Sequence, residues 1–368
     1  MRLPSFNDLI PEQRNIFLAN PDDSMLIVGP PGSGKTSIAL WKANILSGPD
    51  LRRRVQVVTR NRMLSALATQ ISQDQGNAPV TSATMATYLT SDYGRRFSRF
   101  APQWSPFNYI WEQILREYEA ANVQPSIDHL IVDEGQNLPL PFFIWARRFM
   151  ARAVSVFADE DQSTEVNGTR VDQLEQAGFT DVHPLTVNHR NTQEVANLVE
   201  HFHTNRRLPP LPASRGFSGV APRILQVATW PALAEAVARR WRNRGDALGV
   251  ILYEVDDIKR LHGLISALLP DARVDFYTND AVPGAEAAIR MRDRGVTIIS
   301  GESAIGLEFE TVFLQDLRRS LPSDADLKNR RLYMLCARAR DTLVLVDGPV
   351  ALDGAQLADL PNPPILER

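Results

Sequence analysis

The chain has 368 residues, 44% of them hydrophobic and 23% charged, which is the composition of a soluble globular protein. This length predicts about two domains, and the net charge of −3 does not favour nucleic acid unless a local basic groove exists. The N-terminus lacks a signal peptide's apolar segment, no apolar run reaches the roughly 18–20 residues of a membrane span, and the single Cys336 excludes an internal disulfide. A cytoplasmic protein without a membrane partner is expected.

The first half of the sequence alternates short apolar runs with helical segments. Met25–Val28 predicts a strand that leads into a glycine-rich loop and a helix over Ser37–Leu46. Val55–Thr59 predicts a second strand, followed by an amphipathic helix. HLIVDEGQ and AVSVFADEDQ predict two more strands, each ending in acidic residues. This alternation predicts βαβ units, a parallel sheet, and ligands at the carboxyl ends of its strands.

A second series of strands and helices follows a Pro-, Gly- and Arg-rich linker at Thr204–Pro222. The strand-like segments are RILQVAT, LGVILYE, RVDFYT, GVTIIS, TVFLQDL and TLVLVDG, and the helix-like ones are PALAEAVARRWRN and DIKRLHGLISALL. The tail PNPPILER is expected to be an exposed end. The sequence therefore predicts an α/β fold with domains at 1–185 and 186–350, then a tail at 351–368.

The stretch GPPGSGKT matches the phosphate-binding pattern G-x-x-x-x-G-K-[ST] between a predicted strand and helix. Loop N–H groups and the helix N-terminus favour bound phosphates. Lys35 is expected to reach the β- and γ-phosphates, and Thr36 to bind Mg²⁺. The alternative is a glycine-rich turn that binds nothing. The predicted nucleotide-binding residues are Gly29, Pro30, Pro31, Gly32, Ser33, Gly34, Lys35, Thr36 and Ser37.

The segment Leu130–Gln136, LIVDEGQ, supplies the acids that hydrolysis needs. Asp133 follows an apolar strand and is expected to hold Mg²⁺, while Glu134 is placed to orient or deprotonate the attacking water. The alternative is a solvated strand end. An acidic pair followed by glutamine disfavours a small-molecule kinase, and the sequence lacks the Asn-Lys-x-Asp motif by which a GTPase reads its base.

A longer series of motifs resembles the UvrD/Rep type of superfamily 1 helicases. Its members, in chain order, are GPPGSGKT, VVTRN, VDEGQ, FADEDQS, LTVNHRNT, GLEFETVFL and LYMLCARARDTLVL. The resemblance runs from about Pro11 to Val346. It implies two RecA-like P-loop domains with Mg-ATP in the cleft between them and single-stranded DNA across both. RNA stays open as an alternative substrate.

The resemblance also implies roles for individual residues. Gln13 matches the glutamine that reads the adenine edge, and His189 takes the place of a tyrosine that stacks on adenine. Gln162 matches the γ-phosphate sensor, and Glu308 matches a glutamate near the ribose. Arginines supplied across a cleft stabilise charge on the transferred phosphoryl group and are worth about 10³–10⁵-fold in rate. The two residues matching such arginines are Arg190 and Arg338.

Nucleic-acid contacts are predicted in two segments that follow the phosphate loop. The resemblance places the backbone-contacting residues at Thr59, Arg60, Asn61, Thr81, Ser82 and Thr84. The stretch Tyr93–Trp104, YGRRFSRFAPQW, mixes arginines with aromatic residues and suits either base stacking or a packed insertion with solvated arginines. The histidines and the cysteine show no metal-ligand spacing.

The sequence departs from the family pattern in ways that leave two functions open. No aromatic residue follows Gln162 in STEVNGTRVDQ, and SGESAIGLE has Glu302 and Ile305 where the family has histidine and lysine. Ala337 replaces a threonine before Arg338, and the large family insertions are missing. The first hypothesis is a DNA translocase or helicase. The second is a regulatory ATPase that senses nucleic acid or nucleotide and gates a partner protein, such as a nuclease in anti-phage defence. A binding module without hydrolysis is the weakest reading, because the catalytic positions are filled.

Overall fold

The structure is a computed structural model that describes residues 9–60, 62–74, 80–159, 168–204, 213–278, 280–282, 284–290, 293–315 and 317–368. These residues form two compact units. The N-terminal unit holds the described residues within 9–29 and 35–185. The C-terminal unit holds those within 30–34 and 186–368, so the middle of the phosphate loop belongs to it.

The N-terminal unit is built on a six-stranded parallel sheet with the order β3-β2-β6-β7-β1-β8. The strands are β1 (Met25–Val28), β2 (Val55–Thr59), β3 (Thr81–Thr84), β4 (Gln103–Ser105), β5 (Asn108–Tyr109), β6 (Ile127–Val132), β7 (Ala151–Ala158) and β8 (Val182–Pro184). The helices are α1 (Pro11–Leu18), α2 (Lys35–Ser47), α3 (Arg62–Asp74), α4 (Met85–Phe97), α5 (Trp111–Ala120), α6 (Leu140–Trp145) and α7 (Val171–Gln176). Strands β4 and β5 form a separate antiparallel hairpin.

The registers of this sheet bring several strand ends to one edge. Val28 pairs with Ala158, and Val132 pairs with both Val58 and Val156. Because all these strands are parallel, the segments that leave β1, β6 and β7 start at the same edge. Helices α2 and α3 pack against the sheet, and the β2 side chains of Val55, Val57 and Val58 are buried. The sheet thus holds the phosphate loop and the acidic segments at a common edge.

An aromatic cluster fills the core beneath helices α4, α5 and α6. Tyr93, Tyr118, Phe142 and Trp145 are fully buried and pack with apolar residues of the sheet. The Tyr118 hydroxyl donates to the buried Asp92 carboxylate at 2.7 Å. The stretch Tyr93–Trp104 was predicted to be either a stacking surface or a packed insertion. Its first aromatic residue, Tyr93, is fully buried and belongs to the core.

The C-terminal unit contains a second six-stranded parallel sheet with the order β11-β12-β10-β13-β14-β9. Its strands are β9 (Arg223–Gln226), β10 (Ala247–Leu252), β11 (Val274–Tyr277), β12 (Gly295–Ser300), β13 (Phe309–Leu314) and β14 (Ala339–Asp347). Its helices are α8 (Gln193–His201), α9 (Trp230–Arg244), α10 (Val255–Leu268), α11 (Asp326–Cys336) and α12 (Gly354–Ala358). Helices α9 and α10 pack their buried apolar residues against this sheet.

These registers confirm the α/β class predicted from the sequence, with mostly parallel sheets flanked by helices. The expectation of an exposed end is wrong at Leu366, which is fully buried. The backbone of the neighbouring Glu367 bonds to Ile224 and Pro222, because the chain end lies along β9. Within the described residues, no helix has both the length and the apolar character needed to span a bilayer.

Candidate nucleotide site

The phosphate loop is a tight turn that leads from β1 into α2. Gly29 donates its N–H to the Ala158 carbonyl at 3.2 Å, which ties the start of the loop to β7. Gly32 and Gly34 have φ values of 81° and 88°, a left-handed region that glycine enters without steric cost. A Cβ at Gly32 would overlap the Asn188 side chain, which belongs to the same unit. The turn therefore needs glycine both for its backbone angle and for space.

Lys35 begins α2 and is buried, with 7% of its side chain exposed. Its ammonium group donates to the Gly29 carbonyl at 2.7 Å and to Asp159 Oδ2 at 3.2 Å. The Asp159 side chain is only 3% exposed, so this is a buried ion pair. Sequence reasoning noted acids at the end of β7 but gave Asp159 no role. The structure makes it the counter-ion of the loop lysine.

Asp133, the first residue after β6, is almost fully buried. Burial, and then the charge of Glu134, raise the pKa of Asp133 from its usual 3.8 to about 7, while Thr36 and Lys35 oppose this shift. Oδ1 accepts the N–H of Glu134 at 3.1 Å, whereas Oδ2 has no hydrogen-bond partner among the described residues. The Asp133 carboxylate oxygen that accepts no hydrogen bond from the described residues and the nearby Thr36 hydroxyl are oxygen ligands of the kind that Mg²⁺ prefers.

Glu134 is held in an unusual backbone conformation next to Asp133. Its φ of 58° and ψ of 39° lie in the left-handed region, which a non-glycine residue occupies at a cost of about 1–3 kcal/mol. Gln136 Nε2 donates to Glu134 Oε2 at 2.6 Å, and Gln136 Oε1 accepts the N–H of Asp159 at 3.0 Å. Gln136 thus links the acidic pair to the counter-ion of Lys35, a role that sequence reasoning missed.

The buried carboxylate of Asp133 leads to a prediction about stability. Because the pKa of Asp133 is about 7 in the folded chain and 3.8 as its usual value, its contribution to folding stability is lost progressively as the pH rises from about 3.8 to about 7. Asp133→Asn carries no such charge. Without Mg²⁺ the variant should therefore exceed the wild type in unfolding free energy by on the order of 1–3 kcal/mol at about pH 8.

Chemical denaturation at several pH values checks this expectation. The difference between variant and wild type should shrink as the pH falls toward about 5, where the wild-type carboxyl is protonated. Added Mg²⁺ should stabilise the wild type and leave the variant unchanged, because a ligand that binds only the folded state raises its stability. A pH-independent difference would contradict the assigned burial of the charge.

The C-terminal unit gathers three of the predicted site residues into one cluster. Arg190 Nε pairs with Glu308 Oε2 at 2.9 Å. Burial raises the pKa of Glu308, but the charges of Arg190 and Arg340, together with the hydrogen bond from Arg190, contribute to a net pKa below its usual value. Arg338 is 1% exposed and donates to the carbonyls of Met334 at 2.8 Å and Leu307 at 3.3 Å. Because Leu307 precedes Glu308, both arginines meet the same segment.

The two residues predicted to contact adenine lie in different units. Gln13 is on α1 in the N-terminal unit, 7% exposed, and its Oε1 accepts the Ile10 N–H at 3.3 Å. His189 belongs to the C-terminal unit, where its Nδ1 lies 2.9 Å from Ser214 Oγ. Its N–H donates to the Gly32 carbonyl at 2.8 Å. Gln162, the predicted γ-phosphate sensor, lies outside the described residues.

The predicted nucleic-acid contacts lie at the carboxyl end of β2 and along its neighbour β3. Thr59 and Thr84 are register partners at the carboxyl ends of β2 and β3, and Arg60 follows Thr59 directly. Thr59 is buried, and Thr84 caps α4 by accepting the Thr87 N–H at 3.2 Å. Asn61 lies outside the described residues.

The remaining two hydroxyl residues of this set serve local structure. Thr81 lies at the first position of β3, where its hydroxyl donates to Gln56 Oε1 at 2.9 Å. Ser82 donates to the Ser65 carbonyl at 2.8 Å and so joins β3 to α3. The sheet therefore brings Thr59, Arg60 and Thr84 together at one edge and leaves Thr81 at the opposite end of its strand.

Comparisons with solved structures return helicases at low similarity. The C-terminal domain of a possible DNA helicase from Lactobacillus plantarum WCFS1 is 17% identical, with a TM-score of 0.35, over 49% of this chain and 97% of that one. The PRRSV helicase is 13% identical, with a TM-score of 0.41, over 91% of this chain and 54% of that one, so this chain spans about half its length. No family model and no curated protein matches the chain.

Proposed function

We propose that this protein is a Mg²⁺-dependent ATPase of the superfamily 1 helicase type that acts on single-stranded nucleic acid, with DNA as the first candidate. One observation carries the proposal: a buried polar network joins Lys35 to Asp159, and through Gln136 to Glu134, at the edge where the phosphate loop leaves β1. A lysine, a metal-binding carboxylate and a second carboxylate beside a phosphate loop are the groups that nucleotide hydrolysis requires.

Each group of the network has a distinct role in this proposal. The loop N–H groups and the N-terminus of α2 bind the phosphates. Lys35 exchanges Asp159 for the β- and γ-phosphates, since both partners are anionic and the ammonium is already at the loop. Asp133 and Thr36 would hold Mg²⁺, which supplies neutralisation of the phosphate charge when bound. Glu134 accepts the proton of the attacking water.

The residues assigned by resemblance complete this proposal. Gln13 and His189 are proposed to contact adenine, and Glu308 the ribose. Arg190 and Arg338 are proposed to stabilise charge on the γ-phosphate, which requires each guanidinium to leave its present partners. Gln162 is proposed to sense the γ-phosphate.

A second function, a regulatory ATPase that gates a partner protein, is favoured by the segment SGESAIGLE. Glu302 pairs with Arg331 at 3.5 Å, and Ile305 is buried with 2% of its surface exposed. At neutral pH neither residue offers the positive charge or the hydrogen-bond donor that histidine and lysine of the family pattern can supply at these positions. Weaker binding of nucleic acid is more compatible with a regulatory ATPase than with a processive motor.

The rate of ATP hydrolysis with and without nucleic acid tests both functions. A motor is expected to hydrolyse ATP faster as single-stranded DNA is added, up to saturation, and to unwind a forked duplex. Single-stranded RNA of the same length identifies the preferred polymer. Hydrolysis that ignores both polymers would exclude the motor and leave the regulatory ATPase. No hydrolysis by the chain, alone or with a partner, would exclude both.

A further inference from the structure

Three large aromatic side chains on or beside the β4–β5 hairpin face solvent. Phe100, Trp104 and Phe107 are 94%, 79% and 76% exposed. Among the described phenylalanine and tryptophan residues, only Phe217, at 77%, is comparably exposed. Burying such rings is the ordinary outcome of folding, so three exposed rings within one short segment need an explanation.

The hairpin is anchored, so its exposed rings do not reflect a poorly packed segment. Tyr109 and Ala101, at its base, are 7% and 4% exposed and belong to the aromatic core of the N-terminal unit. The Ile110 N–H donates to the Pro102 carbonyl at 2.9 Å, which closes the base. Phe107 itself has a φ of 66°, a left-handed conformation that costs free energy in a bulky residue. A strained, well-anchored turn thus presents its rings outward.

The surroundings of the rings are polar and include arginines that are held in ion pairs. Between Asp92 and Glu112 the sequence carries three arginines and no acidic residue. The side chains of Arg95 and Arg99 are 70% and 53% exposed, although Arg95 pairs with Asp92 of its own helix and Arg99 pairs with Glu117 of α5. The exposed residues between the rings are Gln103, Ser105 and Pro106, and the exposed Asn108 follows Phe107. This combination of cations, polar groups and rings is complementary to nucleic acid.

We propose that Phe100, Trp104 and Phe107 form a stacking platform for the bases of single-stranded nucleic acid. Among the described residues, none of these rings packs against another aromatic ring, and the high exposure of each leaves room for a stacked base. Stacking of this kind tolerates any base sequence. The hot spot of a protein interface instead buries its anchors within one contiguous, packed patch.

The inference rests on the proposed function and adds a contact region to it. The family pattern has aromatic residues after the position of Gln162, and the sequence has none there. The hairpin supplies rings elsewhere on the unit that contains Lys35, Asp133 and Glu134. The platform therefore restores, at a different place, the base contacts that the altered motif lacks.

Binding of fluorescent single-stranded oligonucleotides tests the platform directly. The probes are an oligothymidine and an abasic oligonucleotide of equal length, which carry the same phosphates with and without bases. Each of Phe100→Ala, Trp104→Ala and Phe107→Ala is expected to weaken oligothymidine binding by about 5-fold to 100-fold. Trp104→Phe should retain most of the affinity. Phe217→Ala is the matched control and should bind like the wild type.

The abasic probe and the salt dependence separate stacking from other effects. All variants should bind the abasic probe as the wild type does, because the phosphate contacts are untouched. The dependence of affinity on salt should also be unchanged, since the rings carry no charge. Unchanged melting temperatures would confirm that the variants fold, as expected for exposed positions.

Three outcomes would overturn the inference, each in a different way. If the triple alanine variant binds oligothymidine as well as the wild type does, the platform is wrong while the proposed function survives. If the wild type hydrolyses ATP but binds neither probe, the nucleic-acid part of the proposed function fails as well. If the triple variant changes only self-association in sedimentation experiments, the hairpin is a protein contact.

Discussion

Lys35→Ala is expected to reduce ATP hydrolysis by about 10²–10³-fold or more, because it removes a preorganised cation from the place where negative charge develops. In the folded chain this cation is already at the loop, bound by the Gly29 carbonyl and by Asp159. The variant removes the ammonium group from the buried Lys35–Asp159 ion pair, and breaking such a pair costs about 3–5 kcal/mol of stability. Steady-state ATPase assays and thermal unfolding measure the two effects separately.

A double variant distinguishes lost chemistry from lost folding. Lys35→Ala combined with Asp159→Asn removes both charges, so stability should return while turnover stays absent. The matched control is Lys42→Met on the same helix, which removes a second buried lysine whose ammonium donates to the Ile16 carbonyl at 3.3 Å. Its pKa is lowered to about 8 by burial, so losing this charge is tolerable, and ATPase activity should persist. Normal hydrolysis by Lys35→Ala would refute the site.

The central strands of the fold could be predicted from the sequence because they are apolar and buried. Met25–Val28 and Val55–Thr59 were predicted with the bounds that β1 and β2 have. A strand covered on both faces reads as a continuous apolar run, and its neighbours in a parallel sheet do the same. The glycines of the loop between β1 and α2 then mark where the chain turns.

The edges of the fold could not be predicted in this way. Strand β3 reads TSAT, three hydroxyl residues and one alanine without an apolar run, and it becomes a strand because it pairs with the edge of β2. The stretch from Tyr93 to Trp104 shows a similar limit. Tyr93 is fully buried and Trp104 is 79% exposed, although both are aromatic residues in one short segment. Their burial depends on how the hairpin leaves the core, which no local pattern encodes.

The candidate site also contains residues that could be predicted from the sequence and residues that could not. Lys35, Asp133 and Glu134 stand in motifs whose spacing alone indicates their chemistry. Asp159 and Gln136 do not, because their roles require β6 and β7 to be neighbours, with Val132 opposite Val156. Only that register brings the N–H of Asp159 within 3.0 Å of Gln136 Oε1. Long-range pairing of this kind is a property of the assembled sheet.

Glu134→Gln is expected to lower the turnover number by about 10²–10⁴-fold while ATP binding is retained, because it removes the proton acceptor and keeps the side chain's shape. The new amide oxygen can still accept the hydrogen bond that Gln136 now donates to Glu134 Oε2 at 2.6 Å. The left-handed backbone at Glu134 is set by the turn and should persist. Single-turnover hydrolysis and binding of a fluorescent ATP analogue measure the two properties independently.

Two further variants decide whether Glu134 acts on the water or only supports the site. Gln136→Ala removes the hydrogen bond that positions the Glu134 carboxylate but leaves this proton acceptor in place. The variant should therefore slow turnover less than Glu134→Gln does. Glu310→Gln alters a carboxylate that accepts the Ala247 N–H at 2.8 Å in the other unit, and it should leave turnover unchanged.

If Glu134→Gln lost ATP binding together with hydrolysis, the residue would be part of the binding site. If it lost neither, another group must accept the proton. Retained binding with lost turnover assigns the proton transfer to Glu134, because the substitution removes little besides the basic oxygen.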